Sequence, residues 1–250
     1  MTQVAEKIVK LGSINEPTIR PISVCICLPT CGAMEPMTAT NIAALCAYSS
    51  VQGIQTLVAN QDTTGIAKNR NSLCQTTLDT GADYMLFIDS DMIFPANMLV
   101  RLLAHKREII GVPYPRRGPP FSMLGMPLEP GKDQSGVVEF EFLPTGLLLI
   151  STEVLRTIRW PWFYESYQYQ GDTEAEKAAL AIADLLRIHE LPAAFKQQIA
   201  DVIIEGWTSQ DVSEDINFCR KARRYGYKIW GELDICREIG HIGTQIVRVG

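Results

Sequence analysis

No stretch of this 250-residue chain approaches the roughly 20 consecutive apolar residues needed to cross a bilayer. The opening segment, MTQVAEKIVKLGSINEPTIRP, is polar and mixed in charge and lacks the apolar centre of a signal peptide. The expectation is a soluble, cytoplasmic protein. A large excess of either charge is also missing. The net charge is −5, so the protein as a whole does not draw nucleic acid or anionic membrane to itself. A local basic surface stays open, because Arg220, Lys221, Arg223, Arg224 and Lys228 cluster. Paired cysteine spacing is absent as well. Of the seven cysteines only Cys25, Cys27 and Cys31 lie close together, and C-x-C-x3-C is not the C-x2-C pattern of a zinc site. On a strand, Cys25 and Cys27 share one face, where cysteine behaves as a small apolar side chain. Buried, reduced thiols are expected. With no internal repeat and no low-complexity segment, residues 1–250 read as one domain.

What is present is a strand–helix alternation. The apolar runs at 22–29, 54–60, 83–89 and 108–114 predict strands. Between them, 37–52 and 63–82 have helical spacing, the second closed by Gly81, and Pro95 suits the first turn of a helix reaching about His105. This order predicts a parallel sheet with helices on both faces. Ligands of such sheets bind beyond the carboxyl ends of the strands. The second half is less regular. Residues 115–136 are rich in Pro and Gly and predict a long loop. Strands are expected at 137–143 and 145–151, then the helix TEVLRTIRW. A helical pair at 172–205 reads as an insertion. VSEDINFCRKARRYGY predicts a helix ended by Gly226, and KIWGELD a last strand.

The run YMLFI at 84–88 ends in Asp-Ser-Asp, with no turn sequence rich in Gly or Asn. If the strand continues to residue 91, Asp89 and Asp91 point to one face, roughly 6.5 Å apart. Two carboxylates that close repel, and a divalent cation removes the conflict. Oxygen ligands favour Mg2+ or Mn2+ over zinc, and such ions keep positions open for phosphate oxygens. The competing reading has Asp89 capping the next helix and Asp91 solvated.

The stretch GIAKNRNSLCQTTLDTGADYMLFIDSDMIFP resembles the core of the GT-A glycosyltransferases, whose D-x-D motif follows a hydrophobic strand. Around it stand an A-x-N helix start at Ala67–Ser72, PTGLLLIS, SEDINFCRKARRYGYKIW and REIGHIG, in the family's order over about residues 22–245. The 172–205 insert departs from it. The resemblance implies a GT-A-type, Rossmann-like mixed sheet flanked by helices. Residues 22–114 would form its nucleotide-sugar-binding half and 115–250 its acceptor-side half. It implies a metal-dependent transfer of a sugar from a UDP- or GDP-linked donor to an acceptor hydroxyl, inverting by default. Asp91 and His241 would hold Mn2+ or Mg2+, with Asp89 on the metal through water or on the donor ribose. Pro29, Thr30, Asp62, Arg70, Asp89 and Ser90 are the donor-side candidates. Gly146, Glu214 and Trp207 are those on the acceptor side. Asp215 would take the acceptor hydroxyl's proton. The acceptor itself stays open between a saccharide and other hydroxyl-bearing groups, a modified nucleic-acid base among them.

Plainer readings compete at several positions. Asp62 suits an ordinary turn, and Arg70 an exposed helix position. His241 could be structural, although Gly240 and Gly243 suggest a tight loop able to approach a ligand. Asp211-Val-Ser-Glu214 fits a capping box, which explains Glu214 and leaves Asp215 without a structural task. Trp160, Trp162, Phe163 and Tyr164 are either sugar-stacking faces or core. Two other activities share the pattern. A nucleotidyltransferase also uses paired aspartates, but LPTCGAMEP lacks the basic, Gly-rich loop that such enzymes carry after strand one. A non-catalytic nucleotide-sugar or carbohydrate-binding protein would bind donor without turnover.

Overall fold

Every residue of the first strand, Ser23–Thr30 (β1), is buried, which requires a sheet covered on both faces. The computed structural model describes residues 20–118, 122–129, 135–165, 192, 212–243 and 246–248. Chain order then runs through α1 (Pro36–Val51), β2 (Gln55–Asp62), α2 (Ile66–Thr80), β3 (Tyr84–Ile88), β4 (Met92–Ile93) and α3 (Met98–Ala104). After these come β5 (Ile109–Gly111), β6 (Met126–Pro127), β7 (Val137–Phe142), β8 (Leu147–Ser151) and α4 (Thr152–Thr157). The last described elements are α5 (Glu214–Arg224), β9 (Ile229–Glu232), β10 (Gly240–Ile242) and β11 (Ile246–Arg248).

Alternate residues of the central strands feed two cores. Cys25, Cys27, Met85, Phe87, Leu148 and Ile150 pack with Leu73 of α2, Leu155 of α4 and Phe218 of α5. Val24, Ile26, Leu86, Ile88, Leu147 and Leu149 pack on the other face with Leu45 of α1 and Leu99 of α3. This two-residue period is the pleat itself, and it turns an unbroken apolar run into two buried faces. The helices bury one stripe each. On α1 the buried residues are Thr38, Ile42, Leu45 and Ser49. On α2 they are Asn69, Arg70, Leu73, Cys74 and Thr77, and Gly81 closes the helix in the left-handed conformation at φ 70°.

The main sheet has eight strands in the order β2-β1-β3-β8-β5-β9-β7-β6. It is mixed, with helices on both faces: a GT-A-type, Rossmann-like architecture. β1 runs parallel to β2 and β3, but β8 inserts antiparallel between β3 and β5. Strand–helix alternation alone predicts a parallel sheet, and the mixed sheet implied by the resemblance is the one present. A crossover through 115–146 returns β8 beside β3, a long-range pairing that local periodicity does not contain. The strand expected at 83–89 stops at Ile88, and Ser90 and Asp91 form a turn. The two-residue spacing argument for the aspartates therefore fails at the backbone. KIWGELD is not the final strand either. The tail forms β10 and β11, which join β4 in a separate three-stranded sheet, with His241 opposite Met92. The 172–205 insertion lies outside the described residues. No helix of the described residues is long and apolar enough to cross a membrane.

Candidate active site

β1 and β3 are parallel, so their carboxyl ends reach one edge of the sheet, and antiparallel β8 begins there. Asp89 N donates to Gly146 O at 3.0 Å, extending the β3–β8 ladder by one bond past the strand. A cleft of about 450 Å³ opens at this edge. Pro29, Arg70, Asp89, Ser90, Asp91, Glu214, Asp215 and His241 all line it.

α2 delivers Arg70. Asn69, fully buried, fixes the helix start by donating to Thr30 O at 2.9 Å and accepting from the Thr63 hydroxyl. Arg70 is itself 4% exposed, which excludes the exposed-helix reading. Its Nη1 donates to Glu214 and its Nη2 to Asp89 Oδ1 at 3.2 Å. Phe87 and Phe163 flank the guanidinium at 5.9 and 6.0 Å. Its Nε has no hydrogen-bond partner among the described residues. One cation thus holds a carboxylate from the end of β3 and another from the start of α5. Ser213 is the N-cap of α5, so Glu214 is its first residue and no longer the third of a capping box. Asp211 lies outside the described residues. Glu214 faces Arg70 and does not reach back to its own helix.

Asp91 is held from the tail. Its carbonyl accepts from Ile242 N at 2.8 Å, and the same strand sets His241 Nε2 3.5 Å from Asp91 Oδ2. His241 Nδ1 lies 2.9 Å from Pro115 O. A carbonyl oxygen only accepts, so Nδ1 carries a proton and the Nε2 edge faces the cleft. The Tyr114 ring meets the imidazole edge-on at 5.1 Å. Arg117 Nη1 sits 2.8 Å from Asp91 Oδ2. Burial raises the pKa of Asp91, but the hydrogen bond and charge of His241, with the charge of Arg117, outweigh it, so the pKa is lowered from 3.8.

Gly146 supports both ends of this arrangement. A Cβ there would lie 2.6 Å from Asp89 Oδ2 and closer still to Tyr114 Oη. Only glycine lets β8 pass under the two groups. Tyr114 is buried and accepts from Gly146 N at 3.1 Å. Burial, then the charge of Asp89, pushes its phenol well above 10. Asp215 Oδ1 accepts from Ser213 Oγ and from Ile216 N at 2.8 Å, and the residue lines the cleft.

Not every candidate converges. Thr30 is buried, with its hydroxyl donating to Asn60 Oδ1 at 2.9 Å, and Asp62 is exposed at the end of β2; neither lines the cleft. Trp207 lies outside the described residues. Of the aromatic group, Trp162 and Phe163 are core and Trp160 is exposed. Sequence reasoning missed Tyr114 and the pairing of Arg117 with Asp91. The faint signal was Tyr114 at the end of the strand expected at 108–114, with Pro-Arg-Arg directly after it. Among the described residues no three His, Cys, Asp or Glu side chains converge into a complete metal cage.

No protein-family model and no curated protein matches the chain. Among solved structures, A197 from STIV is similar over 89% of this chain and 86% of that one, at 11% identity and a TM-score of 0.52. A glycosyltransferase involved in the glycosylation of the major capsid of PBCV-1 is similar over 57% of this chain and 69% of that one, at 11% identity and a TM-score of 0.34. The first likeness is one of fold alone. The second is partial and leaves the activity of this chain to its own residues.

Proposed function

We propose that this protein is a metal-dependent glycosyltransferase that moves a sugar from a nucleoside-diphosphate donor, UDP- or GDP-linked, to an acceptor hydroxyl. The observation that carries the reading is the pairing of Asp91 Oδ2 with His241 Nε2 at 3.5 Å on the wall of a cleft that also holds Asp89 and Asp215. The residues fit a divalent ion. Mg2+ and Mn2+ need few protein ligands when substrate phosphates complete the shell. The Nδ1–H bond to Pro115 O leaves Nε2 for coordination, the usual arrangement of a metal-binding histidine. Arg117, exposed and 2.8 Å from the same carboxylate oxygen, competes with the ion for it. When bound, the ion supplies Lewis-acid stabilisation of the charge that grows on the departing diphosphate.

The chain's own residues do the rest. Pro29 and Ser90 form the donor side of the cleft, with Asp89 on the ribose or a metal-bound water. Arg70 orients Asp89 and Glu214 together, so the donor and acceptor sides keep a constant distance. Asp215, half-buried at the opposite wall, takes the proton of the attacking hydroxyl, and attack opposite the diphosphate inverts the anomeric carbon.

The test is incubation with radiolabelled UDP- and GDP-sugars, Mn2+ and an acceptor panel. Nucleoside-diphosphate release that disappears with EDTA and in Asp91→Asn supports the reading. Pyrophosphate release would assign a nucleotidyltransferase instead, and donor binding without any turnover a binding protein. A retained anomeric configuration by NMR would remove Asp215 from the role of base.

A further inference from the structure

A second cavity of about 250 Å³ lies on the far side of Asp215. Leu124, Pro144 and Asp215 form the partition, since they line both spaces. The remaining wall combines the apolar Met123, Phe142 and Ile216 with Ser122, Ser213 and Arg116.

The backbone explains the position of Arg116. Arg116 N donates to Ser122 O at 3.0 Å, Leu124 N donates to Tyr114 O at 2.9 Å, and Pro115 bridges to Met123. Residues 114–116 and 122–124 therefore pair as two short antiparallel arms. The chain bends at Arg117, which reaches Asp91 in the first cleft, while Arg116 lines the second cavity. The two neighbours also differ in occupation. Arg117 has a carboxylate at 2.8 Å, whereas Arg116 is exposed with no acidic partner among the described residues.

A guanidinium with no acidic partner among the described residues, beside Met123, Phe142 and Ile216, selects for two features in one ligand. A carboxylate or phosphate matches the fork of Arg116. A ring with an apolar face matches Met123 and the side of Phe142. The partition then brings a hydroxyl of that ring to Asp215. We propose that the second cavity is the acceptor subsite, and that the acceptor is an anionic ring compound whose carboxylate or phosphate pairs with Arg116. This assignment rests on the transferase reading for the direction of transfer, but the binding it requires needs neither donor nor turnover.

Ligand-observed NMR titration without donor tests it, using 4-nitrophenyl glucuronide, 4-nitrophenyl glucoside 6-phosphate and the neutral 4-nitrophenyl glucoside. An anionic probe should bind about fivefold more tightly than the neutral one, the limit for a partly exposed ion pair. Whichever anionic probe shows the gain names the anion. Arg116→Gln should erase the difference, and Met123→Asp should weaken all three probes. Both positions are exposed, so the core is not disturbed. Equal affinity for all three probes, a preference that survives Arg116→Gln, or indifference to Met123→Asp would each overturn the proposal. A failure here with donor turnover intact refutes the acceptor assignment alone. Probe binding without turnover of any donor refutes the transferase reading and leaves the anion site standing.

Discussion

Replacing Arg70 with methionine should destabilise the protein by about 3 kcal/mol, because it leaves two mostly buried carboxylates without their shared cation. The magnitude follows from exposure. The Arg70 side chain is 5% exposed, and those of Glu214 and Asp89 are 12% and 27% exposed. Removing one member of a buried pair costs roughly 3–5 kcal/mol, and the partial exposure of Asp89 argues for the lower end. For a chain of this size each kcal/mol moves Tm by about 2–4 °C, so the expected loss is about 6–12 °C. Methionine keeps most of the packing between Phe87 and Phe163, so the change reports on charge more than volume. Urea unfolding with an unchanged m-value, alongside calorimetry, measures it. Arg70→Met combined with Glu214→Gln should recover part of the loss, since the second substitution removes one uncompensated charge. A loss under about 1 kcal/mol, the range of exposed pairs, would refute the buried clamp. Simple additivity of the two substitutions would refute the pairing of Arg70 with Glu214.

Three further outcomes are expected. Arg117→Ala should raise Mn2+ affinity by up to about fivefold in titration calorimetry, because a pair with Arg117 63% exposed is worth at most about 1 kcal/mol; weaker Mn2+ binding would show that Arg117 helps hold the ion. Asp83 titrates below 3.8, because the Ser23 N–H and hydroxyl and the Arg20 guanidinium outweigh the opposing effect of burial. A carboxylate with a lowered folded pKa contributes stability that is complete above about pH 4 and lost as pH falls through the folded value. Asp83→Asn should therefore lower stability at neutral pH and flatten the loss below pH 4, as followed by denaturant midpoints across pH; an unchanged acid limb would contradict it. Gly146→Ala should destabilise by about 1–3 kcal/mol, since the added methyl meets Tyr114 Oη and Asp89 Oδ2; a neutral effect would mean that β8 can shift away.

Strands were legible because two covered faces leave an uninterrupted apolar run, as in β1 and β3. The main helices were legible from one-sided spacing and from Gly81 at the end of α2. The short pieces were not. β4, β10 and β11 hold two or three residues each, too few for any period to register. The insertion of β8 between β3 and β5 depends on a pairing between segments some 60 residues apart, which no local pattern encodes.

The same division runs through the candidate site. Residue type and strand-end position singled out Asp89 and Asp91, because carboxylates directly after a buried strand have few structural uses, whereas Asp215 and His241 were picked out by the resemblance to the GT-A glycosyltransferases. Their geometry was decided only in three dimensions. Asp91 meets His241 because β10 pairs with β4, not because the strand stays extended. Arg70 could be read as a surface residue until Phe87, Phe163 and two carboxylates closed around it. Glu214 exchanged a local cap for that long-range ion pair. Periodicity and residue chemistry act over a few neighbours and are written in order along the chain. Charge pairing and burial act through space, between positions such as Arg70 and Glu214, 144 residues apart, and exist only once the sheet has brought them together.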